Sequence, residues 1–510
     1  MSGLGTTRAV ALVGLTGHVV EVQAHLAASV PGFTLVGLPD AALSESRDRV
    51  RAAVTSSGLA WPNKKITVNL SPAALPKTGS AFDLAIAVAM LAGARLVDDV
   101  RPQHVVHLGE LGLDGRVHRV RGVLPAVAAA VAAGYPRVVV PAQDADEARL
   151  VPGAEVLGVR HLAELAAHYG AEVDELPDAP DDAPVVRRAA PAGAGDLRDV
   201  LGQSEARAAL EVAAAGGHHL LMVGPPGAGK TMLASRLPGI LPDLDEAAAV
   251  EVTAIHSVAG TLDAAQGLVR RPPFEDPHHT ATPASVVGGG SGLPRPGAAS
   301  RAHRGVLFLD EVPHFGSRVL ETLRQPLEHG EIVIHRAAGT ARYPARFQLV
   351  LAANPCPCGK AVGKGLDCTC TPLERRRYLA RLSGPLLDRV DVQVELPRVS
   401  AVDRAERGEA SAAVATRVAA ARAAAAERLR GTPWTLNGEV PGSWLRERLG
   451  AAPALLVDVD RALERGSLSL RGADRVLRLA WTLADLAGRE APSRTDVGRA
   501  LTLRTRGHRG

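Results

Sequence analysis

Over residues 1 to 170, short runs of alternating polarity such as HVVEVQAHL, KKITVNL, HVVHLGEL and RVVVP are interleaved with longer stretches whose apolar positions recur at helical spacing. Among the latter are ALSESRDRVRAAVTSSG, SAFDLAIAVAML and LPAVAAAVAAGY. A period of two marks strands and a period near 3.6 marks helices, so this block is predicted to be an α/β or α+β domain. The stretch AEVDELPDAPDDAPVV then carries six acidic residues, three prolines and no basic residue. It holds too little apolar surface to fold alone, which places a linker at 171–195. A second α/β block is predicted for 196–400. From 401 the run AVDRAERGEASAAVATRVAAARAAAAERLRG and its successors keep a helical period to the end, so 401–510 is predicted to be all helix.

Composition narrows the picture slightly. With 510 residues and 46% apolar content, the chain has enough material for about three packed cores. A net charge of +4 is weak over this length, so any polyanion partner has to be argued from local patches. Only six of the 58 basic residues are lysine, a usage that fits a GC-rich genome better than a physical requirement. The longest apolar run, LAIAVAMLAGA, lies between Asp83 and Arg95 and is far short of the ~20 residues a membrane span requires. A cytoplasmic chain with no membrane partner is expected.

The strongest chemical signal is HHLLMVGPPGAGKTMLASRL, an apolar strand, a glycine-rich turn and a helix start. Gly224, Pro225, Pro226, Gly227, Ala228 and Gly229 form a turn whose backbone N–H groups can face phosphate oxygens. Lys230 is placed to reach the β- and γ-phosphates and Thr231 to offer its hydroxyl to Mg²⁺, which predicts ATP and magnesium as ligands. Downstream, GVLFLDEV reads as a buried parallel strand that ends in two carboxylates. Asp310 suits Mg²⁺ and Glu311 suits polarisation of an attacking water.

All four cysteines lie within LAANPCPCGKAVGKGLDCTC. Cys356 and Cys358, then nine residues, then Cys368 and Cys370 offer four soft ligands, better suited to metal than to disulfides in a reducing compartment. Three readings stay open: structural zinc, reduced spectator thiols, or a redox switch.

Taken together, the glycine-rich turn, LFLDE, the strand ending in AANP and LLDRVD resemble an AAA+ ATPase. The stretches GQSEARAALEVAAAGGHHLLMVGPPGAGKTMLASRLPGILP, PHHT, PGAASRAHRGVLFLDE, LETLRQPLEHGEIVIHRA and NPCPCG resemble the ComM/YifB family of magnesium-chelatase-like proteins over essentially the whole chain. The resemblance implies that Asn354 is sensor 1, that Arg389 is an arginine finger offered to a neighbouring subunit, and that Arg471 is sensor 2, with Arg475 one helical turn away as its competitor. It implies a homo-hexameric ring. It also implies a helix-2 insertion within RRPPFEDPHHTATPASVVGGGSGLPRPG and a hairpin before sensor 1, both facing the pore. Arg270, Arg271, Arg336 and Arg342 are then candidates for phosphates of single-stranded or branched DNA. His278 and His279 are expected to be structural or pore-lining.

The implied function is an ATP-hydrolysing motor for branch migration or strand separation in natural transformation or recombination. The alternative is a protein-remodelling ATPase like that of magnesium chelatase, whose partner normally carries a D-x-S-x-S metal domain that this sequence lacks. The amino-terminal VNLSPAALPKTGSAFDLAIAVAML and HLGELGLDGRVHRVRGVLPAVAAA resemble the Lon-type peptidase fold, also similar to a domain of the DNA-repair ATPase RadA. Ala81 stands at the serine position and Leu124 at the lysine position of that fold's Ser–Lys dyad, and Ser80 has no base, so an inactive relative is implied. Two departures from the family pattern are Ala298 in place of an acid and Trp481 in place of an arginine.

Overall fold

The computed structural model describes residues 3–37, 40–77, 79–173, 195–290, 294–336, 339–361, 367–382, 384–398, 408–449 and 455–505. Most of the expected linker, 174–194, lies outside them. Residues before 173 build a seven-stranded mixed sheet. Gly3–Val13 and Thr16–Ala27 form a long antiparallel hairpin, Lys65–Ser71 adds to its second strand, and Gly32–Val36 closes that edge. On the other side Val106–His107, Arg137–Pro141 and Glu155–Val159 add in parallel. The run LAIAVAMLAGA lies largely within the helix Asp83–Gly93, every residue of which is buried against the hairpin. That packing depends on glycine: a Cβ on Gly5 would stand 2.1 Å from the Ala89 carbonyl oxygen and one on Gly3 2.0 Å from that of Gly93.

Residues after 195 build a five-stranded, all-parallel sheet in the order Phe274–Glu275, Val306–Leu309, Gln348–Ala353, Leu220–Val223, Val392–Glu395. Val306–Leu309 and Gln348–Ala353 are buried at every position, as the apolar runs VLFL and LVLAA require. The first strand in sequence, Leu220–Val223, sits between the fourth and the fifth. Chain direction therefore switches sides there, the place where open α/β sheets form a ligand crevice at the carboxyl ends of their strands.

The carboxyl-terminal region is helical: Ser411–Arg428, Gly442–Leu449, Val457–Glu464, Leu470–Leu486 and Arg494–Thr505. Ser411–Arg428 and Leu470–Leu486 pack on Ser204–Gly216, so Val418, Val476 and Ala480 share one apolar core with Leu210, Leu220 and Val350. Trp481 is buried in a smaller satellite core, with the Arg428 guanidinium 4.4 Å above its ring and Arg428 also paired to Asp485. This is how the helix is anchored with tryptophan where the family pattern has arginine. The amino-terminal sheet docks on the helix Glu246–Ala259 through Val123–Ala132. There the buried Glu147 carboxylate accepts hydrogen bonds from Ser257 Oγ (2.5 Å) and the Leu124 amide (2.9 Å). Among the described residues no helix is long and apolar enough to cross a membrane.

Candidate active site

Three strand ends converge at the carboxyl edge of the parallel sheet. Leu220–Val223 runs into Gly224, and the turn ends at Lys230, first residue of the helix Lys230–Arg236. Gly227 and Gly229 hold φ of +77° and +89°, and a Cβ at either would meet nothing within 4 Å. Glycine is needed there for backbone conformation, and the space in front stays open. The buried Lys230 ammonium donates to the carbonyls of Gly224 (2.7 Å) and Pro225 (3.0 Å) and to Asn354 Oδ1 (3.0 Å). Burial lowers its pKa, while Asp310 and Glu311 oppose that shift.

Asp310 directly follows the strand Val306–Leu309. Its Oδ2 accepts from Thr231 Oγ1 at 2.6 Å, so the hydroxyl and carboxylate expected at magnesium are already neighbours. Glu311 has φ of +51°, a left-handed conformation that disfavours a side chain by about 1–2 kcal/mol. The kink stops the strand and turns Glu311 toward His279, whose Nδ1 lies 3.7 Å from Glu311 Oε2. His279 stacks on His278 with ring centroids 4.1 Å apart and lies 6.0 Å from the His314 ring. The expectation of a structural or pore-lining role for this histidine pair thus missed the contact with Glu311. Two histidines before an insertion carry no sequence signal for it, because the fold brings them over a strand end more than thirty residues later.

The arginines assemble elsewhere. Arg389, Arg471, Arg475 and Arg478 line a cleft of about 260 Å³ with Asp388, Asp391 and His219. Four guanidiniums against Asp388 and Asp391 of the lining, with Glu328 paired to Arg389, leave the cleft net positive. Arg389 pairs with Glu328, and burial together with nearby Arg324, Arg475 and Arg471 pushes its pKa down. Arg471 is exposed on this cleft. Its competitor Arg475 is committed inward, donating to Asp391 Oδ1 (2.8 Å) and to the Arg389 carbonyl (3.1 Å).

Asp391 is buried. Burial alone would raise its pKa, yet His218, Arg475 and Arg478 hold the carboxyl well below the usual carboxylate range. His218 spans from Asp391 Oδ2 (3.3 Å) to Thr482 Oγ1 (2.7 Å), and its carbonyl accepts from Gln348 Nε2 (2.8 Å). A buried polar network therefore joins the base of three strands to the helix Leu470–Leu486 and to the backbone of Arg389. Nothing in the local sequence around His218 or Asp391 signals it.

The DNA candidates divide. Arg336 is exposed at the tip of the hairpin Glu331–Arg336/Gly339–Pro344, where a Cβ on Gly289 of the insertion would lie 3.5 Å from its guanidinium. Arg342 is exposed and pairs with Glu331 at 3.0 Å, and its backbone abuts Gly14 of the amino-terminal hairpin. Arg270 and Arg271 are exposed on the approach to the edge strand Phe274–Glu275. The four cysteines are free thiols whose Sγ atoms all lie within 4.8 Å of one another.

With this geometry in place, comparison with known proteins is informative. Residues 196–404 match the family model described as magnesium chelatase, subunit ChlI, residues 21–144 the model for subunit ChlI of Mg-chelatase, and residues 408–504 that for the ChlI C-terminal region. An uncharacterized protein of Mycobacterium tuberculosis is 53% identical over 507 residues, covering 99% of both chains. YifB of Escherichia coli is 40% identical over 498 residues, 97% of this chain and 96% of YifB. Competence protein ComM of Haemophilus influenzae is 39% identical over 502 residues, again 97% and 96%.

Proposed function

Because this chain belongs to the magnesium-chelatase-like family of YifB and ComM, we propose that it is an Mg²⁺-dependent AAA+ ATPase working as a homo-hexameric ring on DNA. One observation carries this reading: the two halves of a phosphate site lie at opposite edges of one sheet. Lys230, Asp310 and Asn354 follow the carboxyl ends of their strands, whereas Arg389 and Asp391 precede the amino end of Val392–Glu395. The four residues of Leu220–Val223 separate the edges by about 13 Å at ~3.3 Å per residue. Arg389 is thus out of range of its own Lys230, and in this reading it serves the nucleotide of a second copy. Head-to-tail contacts of this kind generate rings where the rotation between copies closes, and the ring of six is what the family resemblance implies.

In this reading the glycine-rich turn and Lys230 hold the triphosphate. Thr231 and Asp310 hold the magnesium ion, which neutralises phosphate charge. Glu311 polarises the attacking water, Asn354 orients it beside Lys230, and the neighbour's Arg389 and Arg471 face the charge that develops in the transition state. Arg336 and Arg342, on the hairpin beside the insertion, are the contacts to DNA phosphates, with Arg270 and Arg271 as a second set. The name of the Haemophilus relative points to competence, so branch migration of incoming strands is the activity proposed. The amino-terminal unit is read as an inactive Lon-like scaffold, with Leu124 buried where a catalytic lysine would stand. The four thiols are read as a structural zinc site.

The test has two arms. ATPase rate is measured with single-stranded, duplex and branched DNA beside Lys230→Ala, and junction migration is assayed directly; stimulation by DNA is expected, and its absence in both assays abandons the DNA reading for a protein partner. Separately, inactive Glu311→Gln and Arg389→Ala chains are mixed. Random assembly leaves roughly a quarter of the interfaces with both halves intact, so activity should reappear, and a mixture that stays dead at every ratio refutes the shared site.

A further inference from the structure

The segment from Asn354 to the helix Pro372–Leu379 follows sensor 1 directly. Of its four cysteines only Cys356 is buried, and lysines and glycines fill the interval. The Sγ atoms of Cys356, Cys358 and Cys368 are 3.4, 3.6 and 3.6 Å apart. A disulfide requires about 2.05 Å. Four thiolates at about 2.3 Å from one Zn²⁺ lie on a tetrahedron of edge about 3.8 Å; these three separations are close to that edge, and the Cys370 Sγ lies within 4.8 Å of the other three.

The position of this cluster gives it a second meaning. Cys358, Gly359 and Lys360 line a cleft of about 560 Å³ together with Gln203 and the outer side of the glycine-rich turn, Pro225 to Gly229, the turn proposed above to hold the triphosphate. The two loops touch: a Cβ on Gly359 would fall 2.6 Å from Pro226 Cδ. At its far end the segment leads into the helix Pro372–Leu379, whose Thr371–Glu374 capping box begins immediately after Cys370 and whose Arg375 Nε donates to the Cys370 carbonyl (3.2 Å).

We infer that the four cysteines bind one Zn²⁺ and that this ion fixes residues 356–361 as a wall of the nucleotide cleft, with Lys360 supplying a second cation to the bound phosphates. The inference rests on the nucleotide reading of that cleft but not on hydrolysis, ring formation or DNA. Without the ion, the nucleotide would have to order the wall as it binds, so zinc and nucleotide stabilise each other's binding. Zinc binding also releases the thiol protons.

The test uses the full chain purified without chelator. Total-metal analysis should find one zinc per chain. The Cys368→Ser/Cys370→Ser variant should lack zinc and bind a fluorescent ADP analogue about tenfold more weakly, the scale on which outer-shell changes act at metal sites. Lys360→Ala should keep its zinc and still bind the analogue several-fold more weakly. If the double variant does not fold by circular dichroism, wild-type protein grown in zinc-depleted medium takes its place, and added zinc should restore affinity. Zinc-free wild type from ordinary medium, wild-type affinity in a folded zinc-free chain, or unaltered binding by Lys360→Ala would each overturn the inference. A failed DNA stimulation would leave all these readouts untouched, so the two readings fail separately.

Discussion

The two edges of the parallel sheet hold charged groups in opposite ways. At the carboxyl edge Lys230 bonds Asn354 and two carbonyls of the glycine-rich turn, and Thr231 bonds Asp310, with open space in front of Gly227 and Gly229. At the amino edge Asp391, His218, Arg475 and Thr482 form a closed network, with Arg389 and Arg471 facing out of it. The first arrangement suits a site that must exchange its ligand. The second suits a rigid platform that holds cations at the rim of a cleft, because bonds among buried polar groups fix position as well as charge, even though the buried Arg475 Nε finds no partner among the described residues.

Removing one group from each edge should therefore have unlike consequences. The largest effect is expected for Arg389→Ala: a fall in kcat of about 10³-fold or more, the scale of an arginine supplied to a transferring phosphoryl group. Nucleotide affinity of the variant should stay close to wild type, since its own cleft is intact. A comparable loss of affinity measured by analogue titration would break the division of labour between the edges.

Next in size is a matched pair of substitutions. Asp391→Asn leaves Arg475 without its charged partner inside the fold and should destabilise it by about 3–5 kcal/mol in urea unfolding. Asp310→Asn at the open edge should change stability by no more than about 0.5 kcal/mol while removing Mg²⁺-dependent turnover. The pH dependence follows the same logic. Asp391 has a lower pKa folded than unfolded, so the folded chain binds fewer protons there. Its contribution is complete above the ordinary carboxylate value near 4 and is lost as the pH falls below it. The acid limb of the stability curve should accordingly be shallower in Asp391→Asn than in wild type.

The contrast also explains what was legible in the chain. The carboxyl edge is read from contiguous signals: a glycine-rich turn, an apolar run ending in two acids, a strand ending in asparagine. Each depends on backbone conformation or strand burial that neighbouring residues impose. The α/β and helical blocks were readable for the same reason. The platform at the other edge is built from residues 218, 328, 391, 475 and 482, which long-range packing alone brings together, so no window of sequence contains it. The resemblance supplied Arg389 and Arg471 there but not Asp391 or Glu328. Arg475 illustrates the point: by spacing it rivals Arg471, and only its bond to Asp391 assigns it inward.

That assignment predicts a smaller, distinguishing effect. Arg471→Ala should lower kcat by about 10²-fold, as loss of one transition-state contact does, with unfolding free energy unchanged within about 0.5 kcal/mol. Arg475→Ala should lose both activity and stability, because it leaves Asp391 buried without its guanidinium. Equal stability of the two variants would mean that Arg475 does not support the platform.

The smallest effect tests whether the open edge is as loosely held as its geometry indicates. Glu311 is kept in a left-handed conformation, and the Nδ1 of His279 at 3.7 Å is beyond good hydrogen-bond range yet close enough for charge attraction. His279 lies just before Thr282, which caps the insertion helix Pro283–Val287. A displacement of the insertion by bound DNA would carry His279 with it and so re-aim Glu311 at the attacking water. His279→Asn should reduce DNA-stimulated kcat by about tenfold, equivalent to about 1.4 kcal/mol of barrier, and leave the DNA-free rate and nucleotide affinity nearly unchanged. If both rates fall together, His279 orients Glu311 but does not link it to the insertion. If neither falls, the contact has no part in turnover and Glu311 is set by its backbone alone.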